Sequence, residues 1–83
     1  MSAGQMLAAA RTAAGLSLDD VAHATKLRAS ILAAMENDDF SHCGGTVYAR
    51  GQLRTIAPVV GLDADELVAA FDRGRTAERR PGP

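Results

Sequence analysis

The sequence predicts an all-α fold, a compact five-helix bundle built around a helix-turn-helix unit. Three observations carry that prediction. No run of strand length alternates Val, Ile or Thr with polar residues. Alanine, the best helix former, is the commonest residue. Residues 17–37, SLDDVAHATKLRASILAAMEN, read as two short helices joined by a tight turn. In such a unit the second helix commonly enters a DNA major groove.

The first helix is expected over Ala3–Ala14. Ser2 caps it, Gln5 reaches back to the cap, and Gly15 stops it. Its inner side is expected to be Leu7, Ala10 and Ala14, with Met6 alongside. The second helix spans Leu18–Thr25, with Ser17 as cap, Asp20 at the third position and Leu16 stapled onto Val21. The third spans Ala29–Asn37 and starts without a good cap. Asp38 to Thr46 forms a loop, which Phe40 anchors to the core. The fourth helix spans Val47–Val60 and ends at Gly61. Ala49, Leu53, Ile56 and Val60 fall at helical spacing on its inner side. Pro58 removes one backbone donor in its last turn. The fifth spans Ala64 to about Arg73, capped by Asp63, with Leu67, Ala70 and Phe71 inward. This gives one domain over residues 1–73. Residues 74–83 are expected to be a basic, disordered tail or juxtamembrane linker.

Within the helix-turn-helix unit, Val21 and Leu32 are placed to meet across the inter-helix angle. Ala22 allows close approach, Leu27 plugs the turn, and Met35 packs back onto the first helix. Lys26 stands where the turn commonly has glycine.

Composition narrows the function. The chain has 83 residues, enough for one small domain that buries only about 60–65% of its unfolded surface. A single cysteine, Cys43, excludes an internal disulfide and fits a reducing compartment. No basic start followed by an apolar run marks a secretion signal, and no stretch approaches the ~20 apolar residues of a membrane span. The expectation is a cytoplasmic domain. Residues 1–72 carry nine acidic side chains against five basic ones. From Arg73 onward, four arginines face Glu78 alone. An acidic body suits a phosphate polyanion poorly, because each neutralised phosphate calls for a Lys or Arg.

The outward positions of the third helix are expected to be Arg28, Ala29, Ser30, Ala33, Ala34 and Asn37. Base readout needs forked donors and acceptors, and three of these six are alanine. Glu36, Asp38 and Asp39 add negative charge where phosphates would pass. The residues that a DNA-binding regulator would use are Arg28, Ser30 and Asn37.

Two stretches go beyond a generic unit. They are GLSLDDVAHATKLRASILAAMENDDF at 15–40 and VYARGQLRTIAPVVGLDADELVAAFD at 47–72. The pattern VYARGxLRxxA followed by GLDxDEL closely resembles the cytoplasmic N-terminal domain of RodZ-like proteins. That is a branch of the Cro/repressor-type, lambda-repressor-like helix-turn-helix superfamily. The resemblance covers about Gln5 to Phe71. It implies a membrane-anchored protein of rod-shaped bacteria, with this domain on the cytoplasmic face of the inner membrane and a transmembrane helix beyond this chain. The basic tail agrees with that layout.

The resemblance further implies a protein partner, an MreB-like actin homologue or another wall-growth factor. In the family, aromatic residues of the fourth helix make that contact, at positions matching Tyr48, Gln52 and Ile56. Only Tyr48 keeps the aromatic. Arg50 and Arg54 form a basic pair beside that face. Partner-binding residues are thus expected to be Tyr48, Gln52, Arg50 and Arg54, with DNA binding weak or absent and the chain a monomer or weak dimer. Read from its own surroundings, Tyr48 is equally a half-buried tyrosine packed against the loop.

No catalytic site, metal site or cofactor is expected. His23, His42 and Cys43 are too few for a zinc site. Asp38 and Asp39 read as solvated loop carboxylates. No serine, histidine and acid form a readable nucleophile arrangement. Gly44 and Gly45 form a turn with no phosphate-binding lysine after it.

Overall fold

The chain places short helices in succession, and side-chain caps from Ser2, Ser17 and Asp63 fix the entry of three of them. A computed structural model describes residues 1–78. The helices are α1 (Ala3–Ala13), α2 (Leu18–Thr25), α3 (Ala29–Glu36), α4 (Thr46–Val60) and α5 (Ala64–Glu78). A single 3₁₀ turn, Ser41–Cys43, precedes α4. No strand occurs among the described residues.

Both capping boxes form. Ser2 Oγ accepts the Gln5 N–H at 3.1 Å, and Gln5 Oε1 accepts the Ser2 N–H at 2.9 Å. Ser17 and Asp20 make the same exchange at 3.0 and 2.9 Å. Those bonds from Ser17, the backbone one first, hold the Asp20 carboxyl below its ordinary range. The start of α3 has no side-chain cap, as its sequence implies.

Four limits differ from expectation, one of them the start of α4, at Thr46 rather than Val47. α1 ends at Ala13, so Ala14 turns outward and is exposed, while Ala3 and Gly4 take the buried places. α3 ends one residue early, at Glu36. α5 continues through Gly74 to Glu78. Once a helix is nucleated against a neighbour, each added residue costs little, so one glycine does not stop it. Of the expected tail, residues 79–83 lie outside the described residues.

The core is one cluster that includes Leu7 of α1, Val21 of α2, Leu32 and Met35 of α3, Leu53 and Ile56 of α4, and Leu67 and Phe71 of α5. Leu27 plugs the turn against it, half-buried. Phe40 meets Phe71 edge to face, with ring centroids 4.8 Å apart, and so ties the loop to α5. Thr25, buried at the end of α2, donates to the Val21 carbonyl and accepts the Leu27 N–H at 3.3 Å. It shapes the turn of the helix-turn-helix unit.

Two tertiary links hold α1 onto α3. Arg11 grips Glu36 with two bonds, Nε to Oε2 at 2.6 Å and Nη2 to Oε1 at 3.0 Å, and its third donor goes to the Leu16 carbonyl at 3.0 Å. The bidentate carboxylate raises the Arg11 pKa further above its ordinary value. At the other end, Gly4 lies against the last turn of α3. A Cβ on Gly4 would fall 2.6 Å from the Met35 carbonyl oxygen and 2.7 Å from that of Glu36. The Gly4 N–H is bonded by Asp38 Oδ1 at 2.9 Å.

That Asp38 is left-handed, φ 61. It closes α3 as a Schellman motif: its N–H bonds the Met35 carbonyl, and the Asp39 N–H bonds the Ala34 carbonyl, both at 2.9 Å. Asp38 and Asp39 are therefore not bare loop carboxylates. Asp39 accepts from the Ser41 hydroxyl at 2.6 Å and from the Ser41 N–H at 3.1 Å. These bonds hold its carboxyl below the ordinary range.

Lys26 takes the glycine conformation of the turn, φ 64 and ψ 16, with its side chain exposed. A left-handed residue with a Cβ costs about 1–2 kcal/mol, and glycine gives back about 0.5–1 kcal/mol in the unfolded chain. Lys26→Gly should therefore stabilise the domain by about 0.5–1 kcal/mol, raising Tm by about 2–8 °C in a thermal melt. An unchanged or lower Tm would contradict this account of the turn.

Candidate protein-docking face

α4 divides its residues sharply. Ala49, Leu53, Ile56, Ala57 and Val60 are buried against α1, α2 and α5. Ile56, matched to a family contact position, is only 1% exposed and belongs wholly to the core. On the opposite side Val47 is 75% exposed and Tyr48 67% exposed. Tyr48 is therefore not the half-buried tyrosine that its loop neighbours suggested. It stands out from the first turn of α4, a turn that Gly45 enters without any side-chain cap.

The other expected contact residues are arranged differently. Gln52 is half-buried and turns toward the 3₁₀ segment, where its Nε2 donates to the Cys43 carbonyl at 3.3 Å. Its Oε1 is buried without a hydrogen-bond partner. Arg50 and Arg54 are not an open basic pair. Arg50 bonds Asp72 at 2.9 Å from both Nε and Nη2. Arg54 Nη1 bonds Asp65 at 2.9 Å. Both acids belong to α5, so this edge of α4 is largely neutralised. At such exposure these pairs add little stability, but they fix the electrostatics of the face. Sequence spacing missed them because they link helices 11 and 22 residues apart.

The groove-reading candidates sit apart from α4. Arg28, Ser30 and Asn37 are exposed. Asn37 spends its amide on the Ala33 carbonyl at 3.2 Å. Ala29, Ala33 and Ala34 are half-buried rather than outward. The outer side of α3 thus offers even fewer base-reading groups than its sequence implies.

Cys43 is buried beneath this region, and no group of three or more His, Cys, Asp or Glu able to hold a metal ion occurs among the described residues. Burial, then the charge of Asp39, push its thiol pKa up. Less thiolate forms at a given pH, and the thiolate is the reactive species. A thiol-disulfide reagent at mildly alkaline pH should modify Cys43 at least about tenfold more slowly in the folded chain than in denaturant. Equal rates would show that the 3₁₀ turn does not shield it.

A short second helix packed across a first, buried Val21 and Leu32 at their crossing, and flanking helices that close the core define a helix-turn-helix protein. Exposed large apolar side chains stand on α4 and not on α3. Residues 6–67 match the profile of a family described as a helix-turn-helix domain. The chain belongs to that family, as a RodZ-like helix-turn-helix domain. It is 38% identical over 71 residues, 86% of its length, to the cytoskeleton protein RodZ of Streptococcus pneumoniae. It is also 40% identical over 52 residues, 63% of its length, to the uncharacterized membrane protein YmfM of Bacillus subtilis. The chain spans only 26% and 18% of those relatives. No solved structure matches it significantly.

Proposed function

We propose that this chain is a non-catalytic interaction domain of a RodZ-like, membrane-anchored protein. It works at the cytoplasmic face of the inner membrane and couples cytoskeleton or wall-synthesis machinery to cell shape and growth. Tyr48 is its docking anchor, and the partner is an MreB-like actin homologue or another wall-growth factor. The observation that carries this reading is the exposure of Tyr48 and Val47 together on the first turn of α4. Large aromatic side chains are the commonest anchors of protein interfaces, and an exposed pair on a rigid helix is preorganised for that use. Similarity to a protein named for the cytoskeleton supports the choice of partner class.

No helix among the described residues is long and apolar enough to cross a membrane. In this reading, membrane attachment belongs to a segment outside this chain. Gln52 does not supply a second anchor, because it serves the 3₁₀ turn. The docking therefore leans on one aromatic and a mixed, neutralised rim from Arg50, Arg54 and α5.

A pull-down with this domain as bait and the actin-like filament protein of the same cell as prey tests the reading. Tyr48→Ala should cut binding by about 30-fold, the effect of removing a hot spot. Its Tm should stay within a few degrees of wild type, since the ring is outside the core. Binding that survives the substitution would place the docking surface elsewhere.

The alternative, a DNA-binding regulator using Arg28, Ser30 and Asn37, has no comparable support. Its test is a gel shift at low salt, where nonspecific affinity is strongest. No shift is expected. A salt-sensitive shift abolished by Arg28→Ala would restore that alternative.

A further inference from the structure

A groove of about 570 Å³ opens between the N-terminal turn of α1, the loop after α3, the first turn of α4 and the second half of α5. That volume is within the range of ordinary ligand pockets. Its buried lining is apolar: Ala3, Ala49, Ala70 and Phe71, with Phe40 half-buried beside them. Its charged lining is acidic. Asp38 and Asp39 stand on it side by side, both exposed, and none of the described residues that line it is basic.

Both carboxylates are held by the chain yet keep accepting capacity. Asp38 Oδ1 bonds the Gly4 N–H, and no described donor bonds its Oδ2. Asp39 Oδ1 takes both Ser41 donors, while its Oδ2 has only His42 Nε2 at 3.7 Å, too far for a hydrogen bond. The Ser41 bonds hold the Asp39 carboxyl below its ordinary range, so it is ionised at neutral pH. Water satisfies such carboxylates, but it leaves the apolar lining wet. A partner that covers both must present a cation on an apolar stem. Arginine does so: its guanidinium is planar and weakly hydrated, donates in a fork to carboxylates and packs on aromatic faces. Its methylenes can lie along the alanines while the head stays at the acidic edge. A peptide backbone also finds donors here, because Gly45 enters α4 without a side-chain cap and leaves the first-turn N–H groups open. The same two carboxylates repel a phosphate polyanion.

We propose that this groove docks an arginine-bearing peptide segment of a partner protein, with a guanidinium at Asp38 and Asp39 and its stem on the apolar lining between Phe40 and Ala49. Because the carboxylates are exposed, their attraction is screened by salt and the docking is weak by itself. The site is separate from Tyr48, so it stands whether or not the docking reading of α4 does.

Amide shifts of the full chain, followed at low salt while a capped Gly-Arg-Gly-Arg-Gly peptide is added to about 5 mM, test it over the range of weak binding. The expected result is a saturable set of shifts clustered at residues 38–46 and 70–74. The double variant Asp38→Asn, Asp39→Asn should bind at least about tenfold more weakly. Asparagine keeps both Oδ1 acceptors and tolerates the left-handed backbone of residue 38, so circular dichroism should be unchanged. The control pair Asp19→Asn, Glu66→Gln removes two exposed carboxylates elsewhere and should bind like wild type. A peptide with citrulline for arginine, equal in shape but uncharged, should give no shifts, independently of how any variant folds. Absence of saturable shifts would overturn the proposal, as would equal weakening in both double variants or equal binding of the citrulline peptide. Without peptide, shifts at residues 38–46 caused by Arg79→Ala and Arg80→Ala would assign the groove to this chain's own tail instead. Concentration-dependent shifts there would assign it to a second copy. Either result would overturn docking of a separate partner.

Discussion

The burial of one side of α4 is the constraint on which the structure depends. This helix packs against α1, α2, α5 and the 3₁₀ turn. Its inner positions include Leu53, 0% exposed, and Ile56, 1% exposed. In a domain this small, the hydrophobic area gathered on one helix is a large share of the stabilisation available. α1, α2 and α3 are short and would be marginal alone. α1, α2 and α5 persist because each has a strip of this surface to cover, and α3 is held by α1 and α2. The outward side of α4 is left free as a consequence, on the most firmly held element of the fold.

A second layer of control comes from polar groups that join α1 to α3. Arg11 satisfies Glu36 and the Leu16 carbonyl together. Its guanidinium therefore sets the separation of the two helices and the path of the turn between α1 and α2. At the opposite end Asp38 closes α3 and bonds the N-terminal turn of α1 in one stroke. Gly4 permits that contact by having no Cβ. These links orient the helix-turn-helix unit, and with it the platform beneath α4.

The consequence for function is a separation of roles. The helix-turn-helix unit keeps its packing core, and Lys26 adopts the left-handed turn normally given to glycine. Its outward surface has little with which to read a base. Exposed large apolar side chains gather instead at the start of α4. There Val47 and Tyr48 stand clear of the core, and ion pairs to α5 neutralise the adjacent arginines. Such a surface is small, apolar at its centre and polar at its rim, the usual anatomy of a protein contact.

Local patterns were sufficient for much of this. The Ser2 and Ser17 boxes and the inner positions of α4 depend on spacings of three or four residues, which a sequence displays directly. The helix that carries Tyr48 was legible in the same way, but the exposure of its ring was not. What the sequence could not show lies between elements. The pairing of Arg50 and Arg54 with α5, the turning of Gln52 toward Cys43, and the closure of α1 onto α3 by Asp38 and Gly4 join residues 9 to 34 positions apart. The length of α5 was also missed, since the polar residues after Arg73 show no helical periodicity. The sequence by itself determined the fold class, the helices and their buried faces, because hydrophobic periodicity and caps act within a few residues. Only the tertiary structure decided which charges stay free and which side chains face outward, because those outcomes depend on which helices come to lie side by side.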